Sequence, residues 1–146
     1  MVEGTPPAAM PPSGSGIEVM SHEECLTFLA ETTTVGRLAW RSSRGQQLLP
    51  VNFAFRNGRV YFVTSPNGIL AELAEGCDDV AFEIDYPDRL MQHGWSVLVK
   101  GTTTTVSAAD VDLSPRAPRS WSPAGRDLLI ELTPDKITGR RIRNPT

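Results

Sequence analysis

An Asn-Gly pair set between two apolar runs restricts this chain more than any other feature. Asn57-Gly58 follows Leu48 to Phe55 and precedes Val60-Tyr61-Phe62-Val63-Thr64. Both residues of such a pair enter left-handed backbone space at little cost, which favours a tight turn between antiparallel strands. The two runs are therefore expected to form a β-hairpin. Pro50 lacks an amide proton, so the start of the first run belongs at an edge or a bulge.

The same period of two recurs along the chain. Val35, Arg37 and Ala39 share one face of a strand, and Gly36, Leu38 and Trp40 share the other. Further strands are expected at Val80–Asp85, Gly94–Val106, Leu128–Leu132 and Ile137–Ile142. Helical signals are few. Ser21-His22-Glu23-Glu24 has the form of a capping box and opens a helix to about Glu31. Ser65-Pro66-Asn67-Gly68 ends a strand, and Ile69 to Ala74 reads as a short helix stopped by Gly76. Ala108 to Arg126 reads as loop. Six or seven strands, two short helices and no regular βαβ alternation favour an antiparallel sheet closed into a barrel.

Composition narrows the function. The 146 residues suit one domain. A formal charge of -3 argues against a dedicated nucleic-acid binder. Residues 1–16 are rich in Pro, Gly and Ser and read as a flexible tail, which leaves 17–146 as the domain. No run approaches the roughly 18 apolar residues of a membrane span. Two cysteines, Cys25 and Cys77, make no disulfide framework, and a cytoplasmic protein is expected.

Self-contained catalysis has little support. His22 and His93 have no nucleophile or metal partner near them in sequence, and no metal site is expected. Glu83 and Asp85 share a strand face, as a carboxylate pair or as a solvated surface. No nucleophile elbow, Walker loop or dinucleotide fingerprint is present. Thr64, Ser65 and Asn67 join a strand end to a helix start, where hydroxyls and amide protons suit a phosphate. Helix capping uses the same groups. Trp95 and Trp121 read as core, interface or the flank of a flat ligand. Lys136, Arg140, Arg141 and Arg143 make the C-terminal stretch basic.

Several segments occur together in a telling order. They are Val35-Gly36-Arg37-Leu38-Ala39, Pro50-Val51-Asn52-Phe53, Val60-Tyr61-Phe62-Val63-Thr64, and Gly94-Trp95-Ser96-Val97-Leu98-Val99-Lys100-Gly101. Trp121-Ser122-Pro123-Ala124-Gly125 and Ile137-Thr138-Gly139-Arg140-Arg141 follow. The chain resembles the pyridoxamine 5'-phosphate oxidase-like proteins of the flavin-binding split-barrel superfamily, over roughly Val19 to Ile142.

The resemblance implies a mainly β fold: a six-stranded antiparallel Greek-key split barrel with short peripheral helices. It implies a homodimer with two cofactor sites between the subunits. It implies FMN, or a deazaflavin as the alternative, and an oxidoreductase acting on a small planar substrate. A non-catalytic flavin-binding module and a cofactor-free dimeric barrel are the other readings. On this sequence, Pro50, Val51 and Asn52 match the strand along the flavin ring, and Thr64 and Ser65 match the phosphate-facing strand end. Asn67 belongs to the same turn. Trp95 and Ser96 match a segment that approaches the cofactor from the other subunit, with Trp121 over the margin. Relatives carry a Lys or Arg just after the phosphate-facing turn, where this chain has Asn67-Gly68-Ile69-Leu70. Arg37, Lys100 and the Arg140–Arg141 pair are the cations that could replace it.

Overall fold

The computed structural model describes residues 16–32, 35–114, 117–118 and 127–143. Among these residues eight strands form: β1 (Gly16–Val19), β2 (Gly36–Ser42), β3 (Gly45–Val51), β4 (Ala54–Arg56), β5 (Arg59–Thr64), β6 (Cys77–Asp88), β7 (His93–Val106) and β8 (Leu128–Arg143). One α-helix, α1 (His22–Glu31), follows β1, and a 3-10 helix, Ile69–Glu75, follows β5. No helix among the described residues is long and apolar enough to cross a membrane.

The strands make one antiparallel sheet in the order β3-β2-β6-β7-β8-β5-β4, with β1 beside β8. β3 and β4 stand at opposite ends of that order, yet only Asn52 and Phe53 separate them in the chain. The sheet must therefore curl until its two ends meet. Ladder hydrogen bonds do not bridge the ends, so the barrel is split there. β7 covers one edge of β8 along nearly its whole length. On the other edge, β5 pairs with Leu128 to Leu132 and β1 pairs with Arg140 to Arg143.

The expected hairpin is present. Asn57 and Gly58 have φ of 53° and 76°, and Ala54, Phe55 and Arg56 pair with Tyr61, Val60 and Arg59. Three elements differ from the sequence reading. The run from Leu48 to Phe55 breaks at Asn52-Phe53, because its first half zips onto β2 and its second half onto β5. Leu128–Leu132 and Ile137–Ile142 belong to one long strand. Pro134 sits at a register shift opposite Gly101, and the bulge absorbs the residue that cannot donate to the ladder. Lastly, Gly16–Val19 is an added strand.

Alternation decides the core. Leu38 and Trp40 of β2 point inward, with Val60 and Phe62 of β5 and Phe82 and Ile84 of β6. Val97 and Val99 of β7 join Ile130 and Leu132 of β8. Cys25 and Leu29 of α1 plug one part of this barrel, and Leu73 of the 3-10 helix plugs another. Each fully buried large side chain contributes roughly 1.5–3 kcal/mol relative to exposure, which offsets the ordering entropy of long strands. The other side of the sheet carries Arg37, Ala39, Ala81, Glu83, Leu98 and Thr138, and this outer face holds the groove described next.

Candidate functional site

A groove of about 440 Å³ runs over the outer face, lined by Ile17, Val19, Glu83, Ser96, Leu98, Thr138, Gly139 and Arg140. Strand pairing puts these residues together. Ser96 lies between Asp85 and Arg140, and Leu98 lies between Glu83 and Thr138. Apolar side chains thus make the floor, while Ser96 and Arg140 supply donors. Val19 is 87% exposed and Ile17 50%. β1 forms this wall; the sequence reading placed Ile17 and Val19 inside the domain but expected no strand there. The signal was present, because Ile17 and Val19 alternate with Glu18.

Glu83 and Asp85 form a bridged cluster with Arg37. One guanidinium nitrogen, Nη1, donates to Glu83 Oε1 at 3.3 Å and to Asp85 Oδ2 at 3.2 Å. Burial pushes the Glu83 carboxyl up, Asp85 pushes it further, and Arg37 opposes both. One cation shared by two carboxylates is not a ready phosphate partner.

A second group lies at the open end of the β4–β5 hairpin. Asn52 precedes β4 and Thr64 ends β5, so both stand away from the Asn57-Gly58 turn. Val51 and Thr64 are buried, Pro50 is exposed, and Asn52 and Ser65 are half-buried. The Asn67 amide donates to Ser65 Oγ at 3.3 Å, and the Gly68 amide donates to the Ser65 carbonyl at 3.1 Å. Ser65 therefore caps its own turn. The Thr64 hydroxyl lies 3.4 Å from the Ser65 carbonyl.

Along β8 the Thr64 end of this second group and the Ser96–Arg140 end of the groove are well separated, whereas Pro50 pairs with Arg37 and so lies two strands from Glu83 of the groove. Thr64 pairs with Leu128 at the start of β8, whereas Ser96 pairs with Arg140 near its end. The intervening strand spans about 40 Å of contour at 3.3 Å per residue. A second path agrees. The 3-10 helix after Thr64 accepts the Thr103 hydroxyl on the Leu73 carbonyl at 2.8 Å, and Thr103 lies about 23 Å of strand from Ser96.

Trp95 and Ser96 are adjacent but face opposite ways. Trp95 packs edge-on against Phe28 of α1, with ring centroids 4.5 Å apart. It lines a separate cavity of about 310 Å³ with His93 and Arg141. Arg141 pairs with Glu24, and Arg143 pairs with Glu18 at 2.9 Å. Among the candidate replacement cations, Arg140 and Lys100 have no ion-pair partner among the described residues. His22 lies at the start of α1 and lines a different cavity, with Asn57 and Lys136. Trp121 lies outside the described residues. No cluster of metal-ligating side chains occurs among the described residues.

Comparison with known proteins agrees with this architecture. An uncharacterized protein from Mycobacterium tuberculosis is 28% identical over 139 residues, covering 92% of this chain and 91% of the relative. The FAD-binding protein from Mycobacterium smegmatis superposes with a TM-score of 0.71 at 28% identity, covering 87% of this chain and 99% of that one. A conserved protein of unknown function from Corynebacterium diphtheriae gives a TM-score of 0.68 at 26% identity, covering 86% and 98%. The family model for pyridoxamine 5'-phosphate oxidase matches residues 21–141. The chain belongs to the pyridoxamine 5'-phosphate oxidase family.

Proposed function

We propose that this protein is a homodimeric flavin-dependent oxidoreductase of the cytoplasm, with FMN held between subunits and a small planar substrate. The groove along Ser96, Leu98 and Arg140 carries the reading. Its apolar floor suits a flat ring, and its donors suit the polar edge and the phosphate of a flavin. The related mycobacterial protein binds FAD, which supports the cofactor class. A bound flavin supplies hydride and electron chemistry that these side chains do not have.

The residues divide the work. Leu98 and Val19 exclude water from one face of the ring. Arg140 supplies the charge-assisted contact that Asn67-Gly68-Ile69-Leu70 lacks. Pro50, Val51 and Asn52 offer backbone groups to the ring edge, and Thr64 and Ser65 offer hydroxyls to the phosphate. A second copy that covers the groove is what brings a Thr64 group to Arg140, which stands twelve residues along β8 from Leu128, the partner of Thr64. The exposed apolar side chains Ile17, Val19 and Leu48, the last 65% exposed, give that copy a surface to cover. Two unpaired thiols, Cys25 and Cys77, suit a reducing compartment.

Sedimentation combined with fluorescence titration tests this reading. A dimer that quenches FMN saturably at micromolar levels, one flavin per chain, is expected. FAD and a deazaflavin are titrated in parallel to fix the cofactor. A monomer that binds none of the three overturns it.

A further inference from the structure

Among the described residues, Glu83 is the one carboxylate that lines the groove, and it stands across from Arg140, which has no ion-pair partner among them. Two strand steps, from β6 through β7 to β8, separate its row from that of Arg140, about 10 Å. With phosphate at Arg140, a ring laid over Leu98 has its far edge at Glu83. The polar edge of a flavin ring is rich in acceptors. An ionised carboxylate is repelled by the ring carbonyls and can accept only from the single N3–H between them, whereas a carboxylic acid can also donate to the carbonyls.

The neighbours of Glu83 favour the acid. Asp85 lies on the same strand face, and Arg37 of β2 is shared between the two carboxylates at 3.3 and 3.2 Å. From β7, Ser96 and Leu98 face the cluster, and Lys100 lies one step away opposite Ala81. From β8, Arg140 and Thr138 complete the surroundings, and β3 contributes Pro50 opposite Arg37. Covering this face with a ring or a second copy removes water from two carboxylates that hold one guanidinium. Holding one proton relieves that repulsion.

We propose that Glu83 meets the acceptor-rich edge of the bound flavin as a neutral carboxylic acid, so that loading the groove takes up one proton from solvent. This rests on the flavin reading above. Burial and Asp85 both push the Glu83 carboxyl up, which is the direction required.

The test measures FMN affinity of the full-length dimer between about pH 4.5 and 8.5, for wild type and Glu83→Gln, with FAD as a second probe. The amide keeps a donor but cannot ionise. Dividing the wild-type Kd by the variant Kd cancels the titration of the FMN phosphate itself. That ratio is expected to be flat at low pH and to rise about tenfold per pH unit above a midpoint, as one-proton linkage requires. Asp85→Asn removes the repelling charge and should move the rise to lower pH. If Glu83→Gln does not fold, the Asp85→Asn Kd divided by the wild-type Kd cancels the phosphate titration in its place and should rise between the two midpoints and then level off. A flat ratio or an unshifted midpoint overturns the role of Glu83 and leaves the flavin reading standing. Wild-type protein that binds neither flavin at any pH overturns both.

Discussion

Single residues show where the fold resists change. Tyr61 is 3% exposed, and its hydroxyl donates to Glu131 Oε2 at 2.8 Å. Burial, and then the bond to Glu131, push its phenol up to about 12. The folded value lies above the unfolded value of about 10. This contribution to stability is therefore complete below about pH 10, and is lost as pH rises through about 12. Tyr61→Phe should cost about 1 kcal/mol in urea denaturation near neutral pH and should remove that alkaline loss. Gly101 gives a larger effect. A Cβ there would lie 2.0 Å from the Thr133 carbonyl oxygen, and that oxygen belongs to the β8 bulge. Gly101→Ala should cost about 3 kcal/mol, the upper end for overpacking, because backbone must move. A thermal melt checks it. Ser96 and Trp95 show what is legible at this scale. Their alternation follows from the strand period, but only packing of Phe28 decides which of them faces inward.

Elements read well where their signals are local. The α1 capping box forms as its four residues predict: the Glu24 amide donates to Ser21 Oγ at 3.1 Å, and the Ser21 amide donates to Glu24 Oε1 at 3.0 Å. Ser21→Ala should destabilise the protein by about 1 kcal/mol, measured by chemical denaturation. The Ser21 amide, and then Arg141, hold the Glu24 carboxyl below its usual range. That support is present above the ordinary glutamate value of about 4.3 and is lost as pH falls below it. The Asn57-Gly58 hairpin is equally local. The break at Asn52-Phe53 is not, since Leu48 to Phe55 is continuous in apolar character and only its two different partners divide it. β8 is the converse case. Thr133 to Lys136 looks like a gap in the sequence, yet pairing with β7 carries the strand across it.

At the scale of the molecule, one strand organises the site. β8 gives one end of its free edge to β5 and the other to β1, and so sets Thr64 and the Ser96–Arg140 pair at opposite ends of that strand. The sequence places both groups on strand ends but holds no measure of the distance between them. That distance depends on the eight-stranded topology. The order of motifs made the fold legible, whereas the groove wall from β1 and the Arg37 bridge between two carboxylates came from tertiary pairing. If each site takes one group from each copy, defects in the two groups should complement. The most direct measurement is flavin binding by mixed dimers of Thr64→Ala/Ser65→Ala with Ser96→Ala/Arg140→Glu. Each parent dimer should bind FMN at least tenfold more weakly than wild type, because the charge-assisted or hydroxyl contacts are absent from both its sites. The mixed dimer should regain one site of wild-type affinity, since one of its two grooves keeps both groups intact. Mixed dimers that bind no better than the parents would contradict a site shared between subunits.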